Sequence, residues 1–286
     1  MTPFSLNIKG RLMTYNRPAV MAVVNFTPDS FYAASRTLGD DSRLADTVRR
    51  AVDEGADMID CGAYSSRPGA DDVSADEETR RLSHGLEIIR RVAPDAVVSV
   101  DTFRASVARR AVCDFGADII NDISGGTLDE AMFDTVAELS VPYVLMHMRG
   151  TPATMQSLTD YDGNVTAAVI ADLAAKADRL AQAGVCDIII DPGFGFSKTL
   201  EQNYRLLADL EAFKLLGRPL LVGVSRKSMA TRLLGISADE ALNATTVINT
   251  LAVERGASIL RVHDVKACRE AVSIIYDGLL PQTGQS

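Results

Sequence analysis

The residues of this chain that are best able to do chemistry follow runs of apolar residues. Between Asp187 and Lys198, three consecutive isoleucines lead to Asp191, after which come Pro192 and two glycines. Successive isoleucines are typical of a strand that is covered on both faces, and a proline cannot donate to a continuing strand ladder. The sequence therefore predicts a buried strand with the Asp191 carboxylate at its C-terminal end. Taken alone, Asp191 could equally be a structural aspartate that caps its own loop.

Polar residues stand at the ends of the other predicted strands as well. With Asp191, the set comprises Asn25, Asp60, Asp101, Asn121 with Asp122, His147, Ser225 to Lys227, and Arg261 with His263. For any single member, and most clearly for Asp60, Asp122 and His147, a hydrogen bond that satisfies a buried polar group is the simpler explanation. Polar residues at the end of every predicted strand instead indicate one shared site.

Two kinds of ligand chemistry are represented in this set. Acceptors and donors suited to a flat heterocycle with a guanidine-like edge are Asp101, Asn121, Asp191 and Lys227. Groups suited to a polyanion are Arg261, His263, Asn25 and Arg67. An apolar wall could come from Phe196, Met146 and Met148. The residues predict a pocket for a polar aromatic ligand that also carries negative charge.

The elements that would position these residues repeat along the chain. Buried strands are predicted at residues 19–26, 57–62, 96–102, 118–124, 143–148, 187–193, 219–225 and 258–264, and helical patterns follow them. Alternating β and α units of this number favour a closed (β/α)8 TIM barrel over an open doubly wound sheet, and no GxGxxG motif follows the first strand. We predict a single domain over residues 1–286, with an N-terminal β-hairpin in residues 1–18 that closes the bottom of the barrel.

Composition narrows the class of partner. The chain has 286 residues, of which 47% are hydrophobic, and a net charge of −9. This charge argues against nucleic acid or an anionic membrane as a partner, and no apolar run approaches the roughly 18 residues that a membrane helix needs. The four cysteines are scattered, without zinc or disulfide spacing, and the start of the chain lacks a signal-peptide layout. We expect a cytoplasmic protein whose ligands are small molecules.

Eight short motifs occur in order along the chain. They are VNFTPDSF (24–31), SSRPGA (65–70), SVDT (99–102), INDISGG (120–126), LMHMRGTP (145–152), DPGFGF (191–196), GVSRKS (223–228) and RVHD (261–264). Singly, pieces such as Asp-Pro-Gly are common. Together, the motifs closely resemble the dihydropteroate synthases of folate biosynthesis, and the resemblance covers nearly the whole chain.

The resemblance implies a transferase that joins the pterin of 6-hydroxymethyl-7,8-dihydropterin diphosphate to 4-aminobenzoate and releases diphosphate, with Mg²⁺ as cofactor. It implies a TIM barrel, a homodimer and a sulfonamide target. The implied pterin residues are Asp101, Asn121, Asp191 and Lys227, with Met146 and Phe196 lining the pocket. The implied diphosphate residues are Ser66, Arg67, Arg261 and His263, the aminobenzoate residues are Phe31, Arg67, Pro68, Lys227 and Ser228, and the Mg²⁺ ligand is Asn25. Catalysis would rest on Asp101, Asp191 and Lys227, with a dissociative displacement in which the two carboxylates stabilise a carbocation.

Two loops depart from the family's pattern. The first continues as FYAASR (31–36), where an aspartate and paired glycines are common. The second reads AYSS (63–66), where glycine, glutamate, serine and threonine are common. These changes bear on aminobenzoate contacts, loop closure and sulfonamide sensitivity, and not on the pterin pocket.

Two other functions would fit part of this pattern. A pterin-binding methyltransferase barrel, which moves a methyl group from a folate to a corrinoid, would share the acidic pterin residues but would not need the SRPG and SRKS segments that are present. A non-catalytic pterin-binding paralogue would tolerate the altered loops. Release of diphosphate from the two substrates with Mg²⁺ distinguishes the synthase from both.

Overall fold

Short runs of branched apolar residues form the strands of this protein, and most are buried on both faces. The structure, a computed structural model, describes residues 3–26, 38–64 and 73–279. Its strands are β1 (Phe4–Ile8), β2 (Arg11–Tyr15), β3 (Ala19–Asn25), β4 (Met58–Gly62), β5 (Val97–Asp101), β6 (Ile119–Asp122), β7 (Tyr143–Met146), β8 (Ile188–Asp191), β9 (Leu221–Val222) and β10 (Ile259–Val262).

Strands β3 to β10 form one parallel sheet in the order β8-β7-β6-β5-β4-β3-β10-β9. The two outer strands also meet, because Ile190 bridges Leu220 and the Ile190 amide donates to the carbonyl of Pro219 at 2.9 Å. This contact closes the sheet into a barrel. The (β/α)8 TIM barrel predicted from the sequence is therefore confirmed.

Helices cover the outside of the barrel. They are α1 (Leu38–Asp53), α2 (Ala75–Val92), α3 (Ala105–Cys113), α4 (Met132–Leu139), α5 (Val165–Gln182), α6 (Leu200–Ala208), α7 (Ser228–Leu234), α8 (Leu242–Glu254) and α9 (Val265–Ser273). Shorter turns are the 3-10 helices Met155–Ser157 and Leu210–Leu216 and the π-helix Ile274–Leu279. In the part of the chain that the structure describes, no helix is long and apolar enough to span a membrane.

The sequence after the Asp191 loop predicts a capping box of Thr199 and Gln202 at the start of one helix that carries Leu206, Leu207, Leu210 and Phe213. The structure agrees with this prediction in part. The predicted capping box is present, since Thr199 and Gln202 each accept from the other's backbone amide. However, the apolar residues after it do not share one helix. The α-helix ends at Ala208, because the next residue, Asp209, leaves the helical conformation with a ψ of 12°. The Asp209 carboxylate accepts a hydrogen bond from the Thr166 hydroxyl at 2.9 Å. Phe213 therefore reaches the core from a separate 3-10 helix.

The predicted N-terminal hairpin is confirmed as the antiparallel pair β1 and β2. Leu6 and Ile8 of this hairpin pack against the lowest layer of the barrel interior, which consists of Ala19, Met21, Met58, Val97, Ile119, Val144, Ile189, Leu221 and Ile259. The hairpin is held there by polar contacts too, because the Asn7 amide donates to Asp187 at 2.8 Å. It therefore covers the end of the barrel opposite the C-terminal ends of the strands.

Asp118, at the same lower end, is a buried carboxylate with a purely structural environment. It is 3% exposed, and it accepts from the Val98 amide at 2.8 Å. Arg90 and Lys9 form ion pairs with it at 2.8 and 2.7 Å. Asp118 thus links the hairpin, α2 and the start of β6.

Candidate active site

The predicted site residues that the structure describes lie together at the C-terminal ends of the barrel strands. By element they are Asn25 (end of β3), Asp101 (end of β5), Asn121 (β6), Met146 (end of β7), Asp191 (end of β8), Phe196 (after β8), Lys227 and Ser228 (before and in α7), Arg261 (β10) and His263 (after β10). Because parallel strands of a barrel point the same way, residues far apart in sequence share one face. Phe31, Ser66, Arg67 and Pro68 lie outside the described residues, and their roles stay predictions.

The geometry of Asp191 is compatible with both of its possible roles. Its Oδ1 accepts from the Gly193 amide at 2.7 Å, which caps the loop as the structural interpretation predicts. Its Oδ2 accepts no hydrogen bond from the described residues, which leaves this oxygen available to a ligand. The side chain is 6% exposed, and this burial raises its pKa, while the cation of Lys227 opposes the shift.

Gly193 is required by the packing of the Asp191 loop. Its φ is 72°, and a Cβ there would lie 2.0 Å from the carbonyl oxygen of His147. The glycines after Asp191 predict a backbone that can approach a ligand closely, and the close approach that Gly193 permits in this structure is to the end of the neighbouring strand.

Lys198 holds the same loop from inside the protein. It is 4% exposed, and its Nζ donates to the carbonyls of Gly193 and Phe196, both at 2.9 Å, and to His147 Nδ1 at 3.0 Å. Three acceptors satisfy the three protons of an ammonium group. Burial lowers the pKa of Lys198 to about 7 and that of His147 to about 2. His147 is thus neutral and structural, as the simpler interpretation predicts.

Arg261 links two carboxylates of the site. Its Nη2 donates to Asp101 at 3.1 Å and its Nε donates to Asp60 at 2.6 Å. Burial raises the pKa of Asp101, and the Arg261 guanidinium opposes that rise. Gly62, beside Asp101, leaves the space that this carboxylate occupies, since a Cβ there would lie 3.1 Å from the Asp101 Cβ. In this structure Arg261 therefore faces the predicted heterocycle residues, and its predicted role toward diphosphate stays a prediction.

Asn121 presents an acceptor to the mouth of the barrel. Its Nδ2 donates to Asp60 at 3.1 Å, while its Oδ1 accepts no hydrogen bond from the described residues. The carboxylate oxygens of Asp101, Asn121 Oδ1 and Asp191 Oδ2 thus form an acceptor-rich surface. Such a surface fits a ligand edge that carries several N–H donors.

Lys227 lies next to this acceptor surface. Its Nζ donates to the carbonyl of Phe194 at 2.9 Å and lies 4.9 Å from the centre of the Phe196 ring. Burial lowers its pKa to about 8, and Asp191 opposes the shift. An atom placed at the Cβ position of Gly223 would lie 3.7 Å from the Lys227 ammonium and 3.8 Å from Arg261 side-chain atoms, which shows that the two cations converge.

An apolar cluster forms one wall of the mouth, as the sequence predicts. Its buried members are Ile123, Met146, Met148 and Met155, and Phe103, Leu128 and Phe196 pack against them partly exposed. Methionine and aromatic side chains in contact suit the face of a flat ring. The wall lies next to the acceptor surface because Met146 ends β7, which pairs with β6 and β8.

The turn after β9 is fixed by an ion pair that the sequence does not predict. Arg226 has a φ of 55° and donates to both Asp264 oxygens, at 2.8 and 2.9 Å. Ser225 Oγ accepts from the His263 amide at 3.2 Å and lies 3.1 Å from its Nδ1. These contacts tie the Lys227 turn to the end of β10. The motifs SRK and RVHD contain all of these residues, but nothing in the sequence shows which pairs meet.

In the described part of the chain, no group of three or more His, Cys, Asp or Glu side chains could hold a metal ion. Asn25 is partly exposed at the end of β3, and its side chain has no hydrogen-bonding partner among the residues that are described. A single oxygen ligand fits an ion such as Mg²⁺ that is held mainly by substrate phosphates and water.

Comparison with known proteins agrees with this geometry. A family model described as pterin binding enzyme matches residues 21–263. The dihydropteroate synthase of Escherichia coli is 40% identical over 272 residues, which cover 93% of this chain and 94% of that protein. The dihydropteroate synthase of Synechocystis is 41% identical, with 90% of this chain and 89% of that protein covered.

Two solved structures extend the similarity to three dimensions. A Yersinia pestis dihydropteroate synthase in a sulfonamide complex is 35% identical with a TM-score of 0.87, and the match covers 97% of this chain and 100% of that one. A Xanthomonas albilineans dihydropteroate synthase with 4-aminobenzoic acid is 37% identical with a TM-score of 0.87, covering 98% and 100%. This chain therefore belongs to the pterin-binding enzyme family and, within it, to the dihydropteroate synthases.

Proposed function

We propose that the barrel mouth joins 6-hydroxymethyl-7,8-dihydropterin diphosphate to 4-aminobenzoate. In this reaction the bond between the pterin methylene carbon and the diphosphate oxygen breaks, and a bond from that carbon to the amine nitrogen forms. The oxygen leaves with the electron pair as diphosphate, and the amine loses one proton. The observation that carries the proposal is the acceptor surface of Asp101, Asn121 and Asp191 beside the ammonium of Lys227.

This surface would recognise the pterin. The guanidine-like edge of a pterin offers several N–H donors, which the carboxylates and Asn121 Oδ1 can accept, and its ring carbonyl can accept from Lys227. The apolar wall of Met146, Met148 and Phe196 would cover the ring. A methyltransferase of the same family would use this half of the site equally, so the pterin pocket alone does not choose between the two.

The two carboxylates would also lower the barrier. A dissociative displacement leaves positive charge on the methylene carbon, conjugated to the pterin ring, and Asp101 and Asp191 would stabilise that charge. Fixed charges in a site that excludes water act strongly in this way. Both carboxylates must be ionised to do so, and Arg261 favours the ionised form of Asp101.

The leaving diphosphate needs positive charge and hydrogen-bond donors. Arg261 and His263 lie at the end of β10, and Ser66 and Arg67 are assigned to the same anion from outside the described residues. Mg²⁺, when bound through Asn25 and the substrate phosphates, would neutralise part of the charge of the leaving group. Arg67, Phe31, Pro68, Lys227 and Ser228 would then shape the aminobenzoate site.

We further propose that residues 1–286 form a single domain that works as a cytoplasmic homodimer. Four large apolar side chains of α7 and α8 lie between 42% and 57% exposed, namely Leu233, Leu234, Leu242 and Val247. Covering such a surface with a second copy would remove it from water. Light scattering of the purified chain measures its oligomeric state, and a monomer at micromolar concentration would contradict the homodimer.

The activity is tested by mixing the pterin diphosphate, 4-aminobenzoate and Mg²⁺ with the protein and measuring diphosphate and dihydropteroate. We expect equal amounts of both products. A pterin-binding paralogue would bind the pterin without releasing diphosphate, and a methyltransferase would bind a methylated folate and give no dihydropteroate. Either result would overturn the proposed reaction.

A further inference from the structure

Asp60 lies directly beneath the acceptor surface, in the middle of β4, and its side chain is 0% exposed. A buried carboxylate without partners would strongly destabilise the fold. Asp60 instead accepts three hydrogen bonds from three different strands. They come from Ser99 in β5 at 2.6 Å, from Asn121 in β6 at 3.1 Å and from Arg261 in β10 at 2.6 Å.

The contact with Asn121 fixes which end of the amide faces the ligand. A carboxylate can only accept hydrogen bonds, so the amide must turn its nitrogen toward Asp60. Its oxygen is then directed to the mouth of the barrel. If the amide were reversed, Asn121 would offer a donor to the donor-rich edge of the ligand.

The contact with Arg261 fixes the base of the guanidinium. Nε of Arg261 bonds to Asp60, while Nη2 bonds to Asp101. Because the two carboxylates use different nitrogens, a ligand that occupies Asp101 removes only one of the two bonds. Arg261 would stay attached through Nε, with its outer nitrogens able to donate to an anion.

We propose that Asp60 is a positioning residue that sets both halves of the site, the acceptor direction of Asn121 for the pterin and the position of Arg261 for the diphosphate. The proposal rests on the proposed function and adds to it, because Asp60 itself touches neither ligand. It affects pterin binding through the hydrogen bond that it accepts from Asn121, and diphosphate binding through the negative charge that holds Arg261.

Two substitutions separate these actions. In Asp60→Asn, the new amide oxygen can still accept from Asn121 while its nitrogen faces Ser99, but the charge that holds Arg261 is gone. In Asp60→Leu, both the acceptor and the charge are gone at similar side-chain size. The matched control is Asp118→Asn, which removes a buried carboxylate that is paired with an arginine at the opposite end of the barrel.

The experiment is calorimetry of each folded variant with two probes in Mg²⁺ buffer, 6-hydroxymethyl-7,8-dihydropterin and inorganic diphosphate. For Asp60→Asn we expect diphosphate affinity to fall about tenfold, as for loss of one charge-assisted bond, and pterin affinity to stay within about threefold. For Asp60→Leu we expect both affinities to fall about tenfold or more. Asp118→Asn should change neither affinity by more than about twofold, whatever its melting temperature.

Two outcomes would overturn the inference. If both Asp60 variants bind both probes as the wild type does and lose only thermal stability, Asp60 is a structural residue like Asp118. If Asp60→Leu does not fold, unchanged diphosphate affinity in Asp60→Asn has the same consequence. A wild-type protein that binds no pterin would instead remove the proposed function itself.

Discussion

Replacing Lys227 with methionine should weaken pterin binding and leave the stability of the fold nearly unchanged. Methionine keeps an unbranched apolar stem of similar reach, so the packing against Phe196 is preserved. The change removes the charge and the hydrogen bond from Nζ to the Phe194 carbonyl at 2.9 Å. The sequence alone gives Lys227 little structural reason to be there, but this bond gives it one, so the two effects have to be weighed.

In the empty enzyme, the stability lost with the hydrogen bond of Lys227 is nearly offset by the stability gained when its buried charge is removed. Losing a hydrogen bond between a charged donor and a carbonyl costs about 1.5 to 3 kcal/mol. Burial, however, lowers the pKa of Lys227 from 10.5 to about 8, and at about 1.4 kcal/mol per pKa unit the charged form is disfavoured by about 2 to 3 kcal/mol, allowing for its partial exposure. Removing the charge restores that amount. We therefore expect the free energy of unfolding at pH 7 to change by less than about 1 kcal/mol.

Ligand binding has no such offset. A charged donor to the pterin in a dry pocket contributes about 1.5 to 3 kcal/mol, so affinity should fall by about 10- to 150-fold. Calorimetry with the pterin diphosphate and urea unfolding at pH 7 measure the two quantities. The control is Lys176→Met, which removes a partly buried lysine paired with Asp172 on α5 and should leave pterin affinity unchanged. Unchanged affinity for Lys227→Met together with a large loss of stability would show that the lysine only holds the Phe194 loop.

Three further predictions test other groups of the site. Asp101→Asn should keep the fold and lower turnover by about a hundredfold or more, and near-normal turnover would remove Asp101 from the mechanism. Because burial lowers the pKa of His147 to about 2, the unfolded chain takes up a proton below about pH 6.5 that the folded protein does not. Stability should therefore fall with decreasing pH by up to about 1.4 kcal/mol per unit, and His147→Gln should remove this slope. Finally, 4-aminobenzoate should bind only when Mg²⁺, diphosphate and a pterin are present, because we predict that the segments of Phe31 and Arg67, which lie outside the described residues, close only on the anion; equal calorimetric affinity for the empty enzyme would mean that the second site is preformed.

The sequence predicts the barrel well because its signals are local and repeated. Predicted strands at residues 187–193 and 258–264 contain the observed β8 and β10, although each observed strand is shorter by a few residues. Most of the excess lies at the C-terminal end, where the residues that follow the ladder carry the site. β9 is the extreme case, since the predicted 219–225 contains only Leu221–Val222 as strand. Apolar residues indicate burial but not strand pairing. Because the buried residues beyond the last ladder hydrogen bond are as apolar as the strand itself, the sequence does not show where the strand ends.

The contacts inside the site could not be predicted in the same way. That Asp101 and Arg261 lie at strand ends follows from the repeat, but that one guanidinium bonds both Asp101 and Asp60 depends on the tilt and closure of the barrel. Lys198 shows the same limit. In the sequence it is one more polar residue after a glycine-rich loop, yet the structure buries it under that loop with three acceptors. No spacing rule gives such a contact between residues 51 positions apart, as for Lys198 and His147.

The ion pair of Arg261 with Asp101 gives the empty site a way to hold several buried charges without a ligand. Asp60, Asp101 and Asp191 would repel one another in a low-dielectric mouth, and Lys227 and Arg261 balance most of that charge. A pterin diphosphate carries both complementary features, a donor-rich edge for the carboxylates and an anion for the guanidinium. In the proposed binding mode, one internal ion pair would be exchanged for two contacts to the ligand, so that no carboxylate or guanidinium would be left buried and alone at either stage. A ligand with only one of the two features would break the internal pair without replacing both halves, and we therefore expect the site to favour the intact substrate over its separate parts.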